Sequence, residues 1–229
     1  MKWPFVFACA LCTAFGLLLG VLLPVDLTRP GPEGGMSTPA LPLEPAGSQS
    51  GSGQETPALD PEDNFALLHA AGLACEAISR RDFTALASYV HPDRGVTFTP
   101  YSTVDFDTDL TFTAEQIRGL EQDQTTYVWG LEDGRGLPIQ MTMAQYLDRY
   151  VWDADYTRAP ELGIDQIITG GNALENLAEA YEGCRFVDFC YPSADPVNDG
   201  LDWSSLKLVF QAGEHSWYLV GIVHGEWTI

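Results

Sequence analysis

An N-terminal run of 23 residues without a charged side chain, Trp3 to Val25, limits which part of this chain can fold in water. A helix of this length spans the roughly 30 Å hydrocarbon core of a bilayer. Lys2 precedes the run and Arg29 is the next basic residue, so the positive-inside rule places the N-terminus in the cytoplasm. Residues 1–25 are therefore predicted to be a membrane anchor, with the remainder of the chain extracytoplasmic.

A cleaved secretory signal is the alternative interpretation of this run. Signal cleavage needs small residues at the cleavage site, and residues 22–25 offer none. Residues 26–59 follow with Pro, Gly and Ser clusters and almost no apolar periodicity, a composition that is typical of a disordered linker. The globular part is therefore predicted to be a single domain over residues 60–229, a length that can bury a sizeable core.

This domain is strongly acidic. It holds 28 of the 32 acidic residues and 9 of the 11 basic ones. Such a surface repels the phosphates that supply most of the affinity for nucleic acid, so nucleic acid is excluded as a partner. Anionic lipid head groups are disfavoured for the same reason, which leaves the N-terminal helix as the one expected membrane contact. The excess charge favours solubility, and a cationic ligand or a divalent metal is the functional alternative.

Three cysteines lie in the domain: Cys75, Cys184 and Cys190. The residues around Cys184 and Cys190 read as a strand, in which the two Cα atoms lie roughly 20 Å apart. A disulfide requires less than about 7 Å, so these two cysteines are not expected to pair. Cys75 falls at helical spacing and is expected to be a buried thiol. No Cys/His spacing resembles a zinc site, and no cofactor is predicted.

Periodicity and capping residues predict an α+β fold, with helices first and an antiparallel sheet later. The predicted helices begin at Asp60, Asp82, Thr113, Thr142 and Ala173. In the first helix, Phe65, Leu68 and Ile78 are expected on the buried face. The predicted strands cover residues 95–101, 127–131, 185–191, 204–211 and 217–224. Turns are predicted at 133–136 and 212–216.

The order helix, second helix and strand over residues 65–101, together with the terminal strand over 217–223, resembles NTF2-like (SnoaL-like) domains. That resemblance implies helices packed on a curved antiparallel sheet, which together form a cone. This chain is expected to have more helices than a minimal member of the family. The domain also resembles an uncharacterised family of bacterial envelope proteins, often lipoproteins, although the anchor lacks a well-placed lipobox cysteine. The residues that carry this second resemblance are 91–96, 99–101, 129–130, 133–134 and 224–229.

Polar and aromatic residues fall at the ends of the predicted elements, where the pocket of an NTF2-like cone would open. These candidate ligand-binding residues are His91, Tyr101, Trp129, Asp133 and His224. They combine an apolar wall with a few polar groups, as ligand pockets do. A histidine with an aspartate could also serve as a general base pair. The structural alternative is that His91 caps a helix end and His224 bonds a backbone carbonyl.

A weaker candidate is a metal site at Asp105, Asp107 and Asp109. Their spacing matches the first ligands of an EF-hand calcium loop, and in an extended segment they would share one face. However, Leu110 stands where the loop needs glycine, and Gln116 stands where it needs glutamate. An exposed acidic loop is therefore the preferred interpretation.

Three classes of function remain. The first is a non-catalytic module that binds a small ligand or an envelope protein, which the absence of a nucleophile–base motif favours. The second is a small SnoaL-like isomerase, dehydratase or hydrolase that uses His91 or His224 with an aspartate. The third is a calcium-dependent structural module.

Overall fold

The computed structural model describes residues 60–228. The predicted anchor, residues 1–25, and the predicted linker, residues 26–59, lie outside the described residues. Among residues 60–228, the helices are all too short or too polar to cross a membrane.

Of the eight strands in residues 60–228, six form one mixed sheet and the other two form a separate hairpin. The strands are β1 (Val96–Thr99), β2 (Leu110–Phe112), β3 (Thr126–Leu131), β4 (Pro138–Thr142), β5 (Glu161–Ile164), β6 (Arg185–Tyr191), β7 (Ser204–Ala212) and β8 (Trp217–Glu226). The sheet order is β2-β1-β8-β7-β6-β5, and β3 pairs with β4. The pairing of β7 with β8 shifts between Val209 and Phe210, where β8 has the extra residue Val220, and such a β-bulge bends its strand and contributes to the curvature of the sheet.

The expectation of an antiparallel sheet is wrong for one pair, because β1 runs parallel to β8. These strands are the first and last of the domain, so no tight turn forces them to run in opposite directions. The chain enters β1 from the parallel bridge between Val90 and Leu219. The predicted β7–β8 hairpin is confirmed, and its turn closes with a hydrogen bond from the Gly213 N–H to the Ser216 carbonyl at 2.8 Å.

The helices are short after the first. They are α1 (Asn64–Ser79), α2 (Phe83–Tyr89), α3 (Ala114–Arg118), α4 (Met143–Tyr146), which continues as a π-helical turn over Leu147–Val151, and α5 (Leu177–Ala180). The predicted caps at Asp82, Thr113 and Thr142 are confirmed, since each side chain accepts a backbone N–H in the first turn. Thr113 and Thr142 form complete capping boxes with Gln116 and Gln145.

Helix α1 begins after Asp63, whose side chain accepts from the backbone N–H groups of Phe65 and Ala66. The prediction that Asp60 caps this helix is wrong, because Asp60 accepts the N–H of Glu62 in the preceding turn. The prediction that Phe65 is buried is also wrong, since it is 86% exposed. The prediction for Ile78 is confirmed, and the buried residues of α1 are Leu67, Ala71, Ala74, Cys75, Ala77 and Ile78.

The main core fills the space between the helices and one face of the sheet. Its largest fully buried side chains include Trp129, Tyr146, Phe98 and Phe210. The Trp129 and Tyr146 rings stack with centroids 3.8 Å apart, and Phe98 meets both rings edge-on. The interior of the fold is therefore occupied by aromatic side chains.

The opposite face of the sheet carries a second, smaller apolar cluster. Leu177 and Tyr181, which belong to the segment that runs from β5 to β6, pack there on residues of β6, β7 and β8. A helix over 173–181 was predicted for this segment, but only residues 177–180 are helical. The side chain of Asn176 instead bonds the backbone N–H and carbonyl of Val104, at 2.8 and 3.0 Å, and so ties this segment to a distant loop.

All three cysteines of residues 60–228 are free thiols. Cys184 directly precedes β6 and Cys190 lies within it, as the strand prediction requires. Cys75 is buried, as predicted, and its burial raises the pKa of the thiol to about 12. Cys75 is therefore a packed core residue rather than a reactive one.

Candidate functional site

The strongest candidate site is a cleft of about 560 Å³ at one end of the sheet. Three segments line it: the loop after β1 at 100–109, the β3–β4 turn at 130–136, and residues 172–174. Its volume lies within the roughly 300–1,000 Å³ that is usual for small-molecule sites.

The β3–β4 wall depends on a bulge. The strand register shifts between Val128 and Leu131, and Gly130 adopts a φ of +117°, which an L side chain rarely accepts. The predicted turn at 133–136 is confirmed by hydrogen bonds from the Glu132 N–H to the Leu137 carbonyl and from the Gly136 N–H to the Glu132 carbonyl. The bulge and the turn together carry Glu132 and Asp133 to the cleft.

The opposite wall is the acidic loop that contains Asp105, Asp107 and Asp109. This loop is a turn rather than an extended segment, because the Asp109 N–H donates to the Asp105 carbonyl at 2.7 Å. The three carboxylates therefore do not share one face as an extended chain would allow. Asp105 accepts the Asp107 N–H at 3.1 Å, and Asp109 accepts the Thr99 hydroxyl at 2.6 Å. Among residues 60–228, no cluster of three metal-ligating side chains is found.

Residues 172–174 form the third wall and are fastened to the acidic loop. The Thr103 hydroxyl donates to the Leu174 carbonyl at 2.6 Å, next to the Asn176–Val104 bonds. Leu174 is 69% exposed and faces the β3–β4 turn, where Leu131 is 58% exposed. The cleft therefore has an apolar rim.

Charge in the cleft is of one sign. Of the described residues that line it, four are carboxylates and none is basic: Asp105, Asp109, Glu132 and Asp133. Arg135 lies outside the lining and pairs with Glu132 at 3.3 Å, and among residues 60–228 the three aspartates form no ion pair within 4 Å. A neighbouring cavity shares Glu132 and Asp133 with this cleft and is lined by Arg135 and Arg149. Burial raises the pKa of Asp109 to about 6, against the opposing hydrogen bond from Thr99. The negative charge of the cleft therefore increases as the pH rises through that value.

Two of the five candidate residues named from the sequence, Tyr101 and Asp133, line this cleft. Trp129 precedes Gly130 in the wall but is itself buried in the core, where its indole N–H donates to the Met141 carbonyl at 2.9 Å. Trp129 thus supports the wall without reaching a ligand.

His224 is fully buried on β8 and does not line the cleft. Its Nδ1 lies 3.2 Å from the Pro100 carbonyl, and its Nε2 lies 3.4 Å from Asp153 Oδ2. The same carboxylate accepts the hydroxyls of Tyr156 and Ser204 at 2.7 and 2.6 Å. Burial alone would raise the pKa of Asp153, but His224 and the two hydroxyls hold it well below its usual range. Because Ser204 bonds Asp153 rather than His224, these residues do not form a nucleophile–base pair.

His91 lies near the other end of β8. Its backbone N–H donates to the Leu219 carbonyl, and Leu219 lies five positions before His224 on the strand, a distance of roughly 17 Å. The His91 Nδ1 accepts the N–H groups of Asp93 and Arg94 at 3.2 and 3.1 Å and so fixes the turn before β1. The structure therefore brings Tyr101 and Asp133 together in the lining of the cleft, while Trp129 is buried in the core behind its wall. It keeps His91 and His224 apart.

Sequence reasoning missed three parts of the cleft. Glu132 stands beside the candidate Asp133, and Asp109 appeared only as a possible calcium ligand. Residues 172–174 carried no local signal, because their position depends on bonds to residues about 70 positions earlier in the chain.

No family model matches this chain, and no curated protein matches it. Among solved structures, an NTF-2 like protein of unknown function from Shewanella oneidensis MR-1 is 9% identical, with a TM-score of 0.31 over 71% of this chain and 98% of that chain. A protein from Xanthomonas campestris, named for a calcium/calmodulin dependent protein kinase II association domain, is 9% identical, with a TM-score of 0.30 over 76% and 97%. TM-scores near 0.3 carry no argument about function.

Proposed function

We propose that this domain is a non-catalytic binding module whose acidic cleft takes a small organic cation. The proposal rests on one observation: four carboxylates line the cleft, and none of its lining residues among 60–228 is basic. An amine with a short apolar body would match both the carboxylates and the exposed Leu131 and Leu174 at the rim.

The two alternatives have less support. An enzyme that uses His224 with Asp153 would need a path for substrate to a side chain that is fully buried. A calcium site at Asp105, Asp107 and Asp109 would have to replace hydrogen bonds that the carboxylates of Asp105 and Asp109 already make within the loop. A binding module needs neither change.

We also propose that the fold is of the NTF2-like class, which the helix–helix–strand opening and the terminal strand support. We further propose that the chain is a bacterial envelope protein, which is supported by the residues at 91–96, 99–101, 129–130, 133–134 and 224–229. In this proposal residues 1–25 hold the domain outside the membrane.

The anchor is tested by fractionating cells that express the full chain. We expect full-length protein in the membrane fraction after alkaline carbonate extraction, because the 23-residue run can span the bilayer. N-terminal sequencing that finds a new terminus between residues 20 and 40 would show cleavage and contradict the anchor.

Binding is tested by calorimetric titration of the full chain in detergent with spermidine, glucose and calcium chloride. We expect spermidine to bind and glucose to give no heat. The Asp133→Asn substitution should weaken spermidine binding by about fivefold, since one charge contact at 4 Å in water is worth about 1 kcal/mol. Affinity should also rise with pH through about 6, because Asp109 then gains its charge.

Asp93→Asn is the matched control. Asp93 is equally an exposed aspartate, but it lies before β1 and outside the cleft lining. Equal weakening by both substitutions would indicate general charge attraction and contradict a site. Binding of calcium without spermidine would favour the metal alternative.

A further inference from the structure

A buried lysine lies on the sheet face opposite the main core. Lys207 in β7 has no exposed surface, and neither has Asp188, its register partner in β6. Lysine and aspartate are almost never fully buried unless they are paired. The segment between β5 and β6 covers both residues, and its Ile168 N–H donates to Asp188 Oδ2 at 2.9 Å.

The second carboxylate near Lys207 comes from that covering segment. The Lys207 ammonium donates to the Ser205 hydroxyl at 3.0 Å and lies 3.6 Å from Glu175 Oε2, which is longer than a charged hydrogen bond. Both Glu175 carboxylate oxygens are buried without a hydrogen-bond partner among the described residues, and so is Asp188 Oδ1. Buried polar atoms are nearly always bonded, so the two unpaired Glu175 oxygens beside this amine, and the unpaired Asp188 Oδ1 on the neighbouring strand, require an explanation.

The geometry of the contact between Lys207 and Glu175 is poor for an ion pair, because Nζ and Oε2 lie 3.6 Å apart. Two buried charges are costly unless their hydrogen bonds are complete, and the two Glu175 oxygens have none here, although the Glu175 side chain as a whole is 26% exposed. The neutral amine and the carboxylic acid, which differ from the ion pair by one proton transfer, are the species that can condense. The fold holds them side by side, with Nζ 3.6 Å from Oε2, and groups held together in this way react with high effective concentration.

We propose that Lys207 and Glu175 condense to an amide that joins β7 to the covering segment. The lone pair of Nζ attacks Cδ of the Glu175 carboxylic acid, and the new Nζ–Cδ bond replaces a C–O bond. The carboxyl OH leaves with one proton from the amine as a water molecule. No oxidant, reductant or activating group is consumed.

Asp188 and Ser205 are positioned to move the proton. Ser205 contacts the Lys207 amine directly and also interacts with the Asp188 carboxylate. Burial raises the pKa of Asp188 despite the opposing charge of Lys207, so this carboxyl can hold and release a proton there.

The neighbouring strand leaves room for the amine. Gly225 of β8 faces this cluster, and a Cβ at that position would lie 2.7 Å from both Lys207 Nζ and Ser205 Oγ. A side chain larger than that of glycine would therefore displace the reacting groups. Burial of the cluster also keeps water away from the amide once it has formed.

The test is tryptic mass mapping of the full chain after denaturation. Trypsin should cleave after Arg158, Arg185 and Lys207. An unreacted chain gives the peptides 159–185, 186–207 and 208–229 at their sequence masses. The cross-linked chain gives one branched species in which 159–185 is joined to 186–229, uncut at Lys207 and lighter by one water molecule. Recovery of the three separate peptides from the wild-type chain would overturn the proposal.

Variants locate the bond. Lys207→Arg keeps the positive charge but should give only separate peptides, whereas Glu179→Gln, an exposed acid on the same segment, should leave the cross-link intact. Asp188→Asn should slow the reaction, so that freshly made protein contains more unreacted chain, which trypsin cuts after Lys207; an unchanged rate would refute the role of Asp188. A free peptide 159–185 beside a dehydrated 186–229 would place the bond at Asp188 and overturn the assignment to Glu175.

Discussion

Replacing Trp129 with alanine is expected to lower the free energy of unfolding by about 3–5 kcal/mol, the usual cost of removing a buried tryptophan. Trp129 is fully buried, and its ring stacks on Tyr146 at 3.8 Å and also contacts Phe98, Phe112 and Tyr127. The substitution would leave a cavity between the β3–β4 hairpin and the sheet. It would also leave the Met141 carbonyl without its indole donor.

Val128→Ala is the matched control, because Val128 precedes Trp129 on the same strand but is 50% exposed. We expect this change to cost less than about 1 kcal/mol, as exposed substitutions do. Urea unfolding of the two variants beside the wild type measures both effects. A Trp129→Ala cost as small as that of Val128→Ala would show that the hairpin is not fastened to the core through this ring.

The Trp129→Ala variant also tests binding, because Trp129 supports the wall of the cleft. Trp129 lies directly before Gly130, which lines the cleft, so loss of the indole should loosen the wall that carries Glu132 and Asp133. Spermidine affinity should therefore fall in Trp129→Ala even though the indole does not reach the cleft. Asp133→Asn, by contrast, should weaken binding without a loss of stability.

The parts of the fold that could be predicted from the sequence are those that depend on neighbouring residues. Thr113 and Thr142 cap their helices through side chains three positions apart, and this pattern is visible in any window of the sequence. The β7–β8 hairpin is equally local, since its two strands alternate around a short turn. Both predictions are confirmed for that reason.

The parts that were missed depend on contacts between distant residues. Strand β2 has three residues and β5 has four, and each becomes a strand only because it adds to an edge of the sheet. Phe65 occupies a helical position that periodicity assigns to the core, but it lies at the start of α1, where the packed face begins only at Leu67. Pattern alone cannot supply either fact.

The candidate site divides in the same way. Tyr101 and Asp133 were named because they follow strands, and both reach the cleft. The same reasoning grouped His91 with His224, although the first contacts β8 near Leu219 and the second lies farther along that strand. The sequence shows where each strand ends. Which end of the sheet that strand end lies at can be known only from the strand order.

Replacing Asp153 with asparagine is expected to cost about 3 kcal/mol of stability at neutral pH. This value is at the lower end of the range for breaking a buried ion pair, because the Asp153 side chain is 23% exposed. The two His224 nitrogens face oxygen atoms, the Pro100 carbonyl and Asp153 Oδ2. Asparagine would remove the negative charge and replace one of the two carboxylate oxygens that accept the hydroxyls of Tyr156 and Ser204.

Asp148→Asn is the matched control, since Asp148 pairs with Arg81 at 2.6 Å but its side chain is 76% exposed. Exposed pairs contribute less than about 1 kcal/mol, so this variant should unfold almost as the wild type does. A cost of Asp153→Asn no greater than that of Asp148→Asn would contradict a stabilising network around His224.

The pH dependence of the Asp153→Asn effect separates charge from packing. The folded-state pKa of Asp153 is held below its usual value, so its stabilising contribution is complete above the unfolded pKa of about 3.9 and is lost as the pH falls toward the folded value. The stability difference between wild type and Asp153→Asn should therefore shrink between about pH 4 and pH 2. A difference that stays constant over that range would mean that the variant perturbs packing rather than charge. A difference that shrinks as expected would show that the Asp153 carboxylate stabilises the fold through its charge, which gives the His224–Asp153 contact a structural role and supports the binding-module proposal.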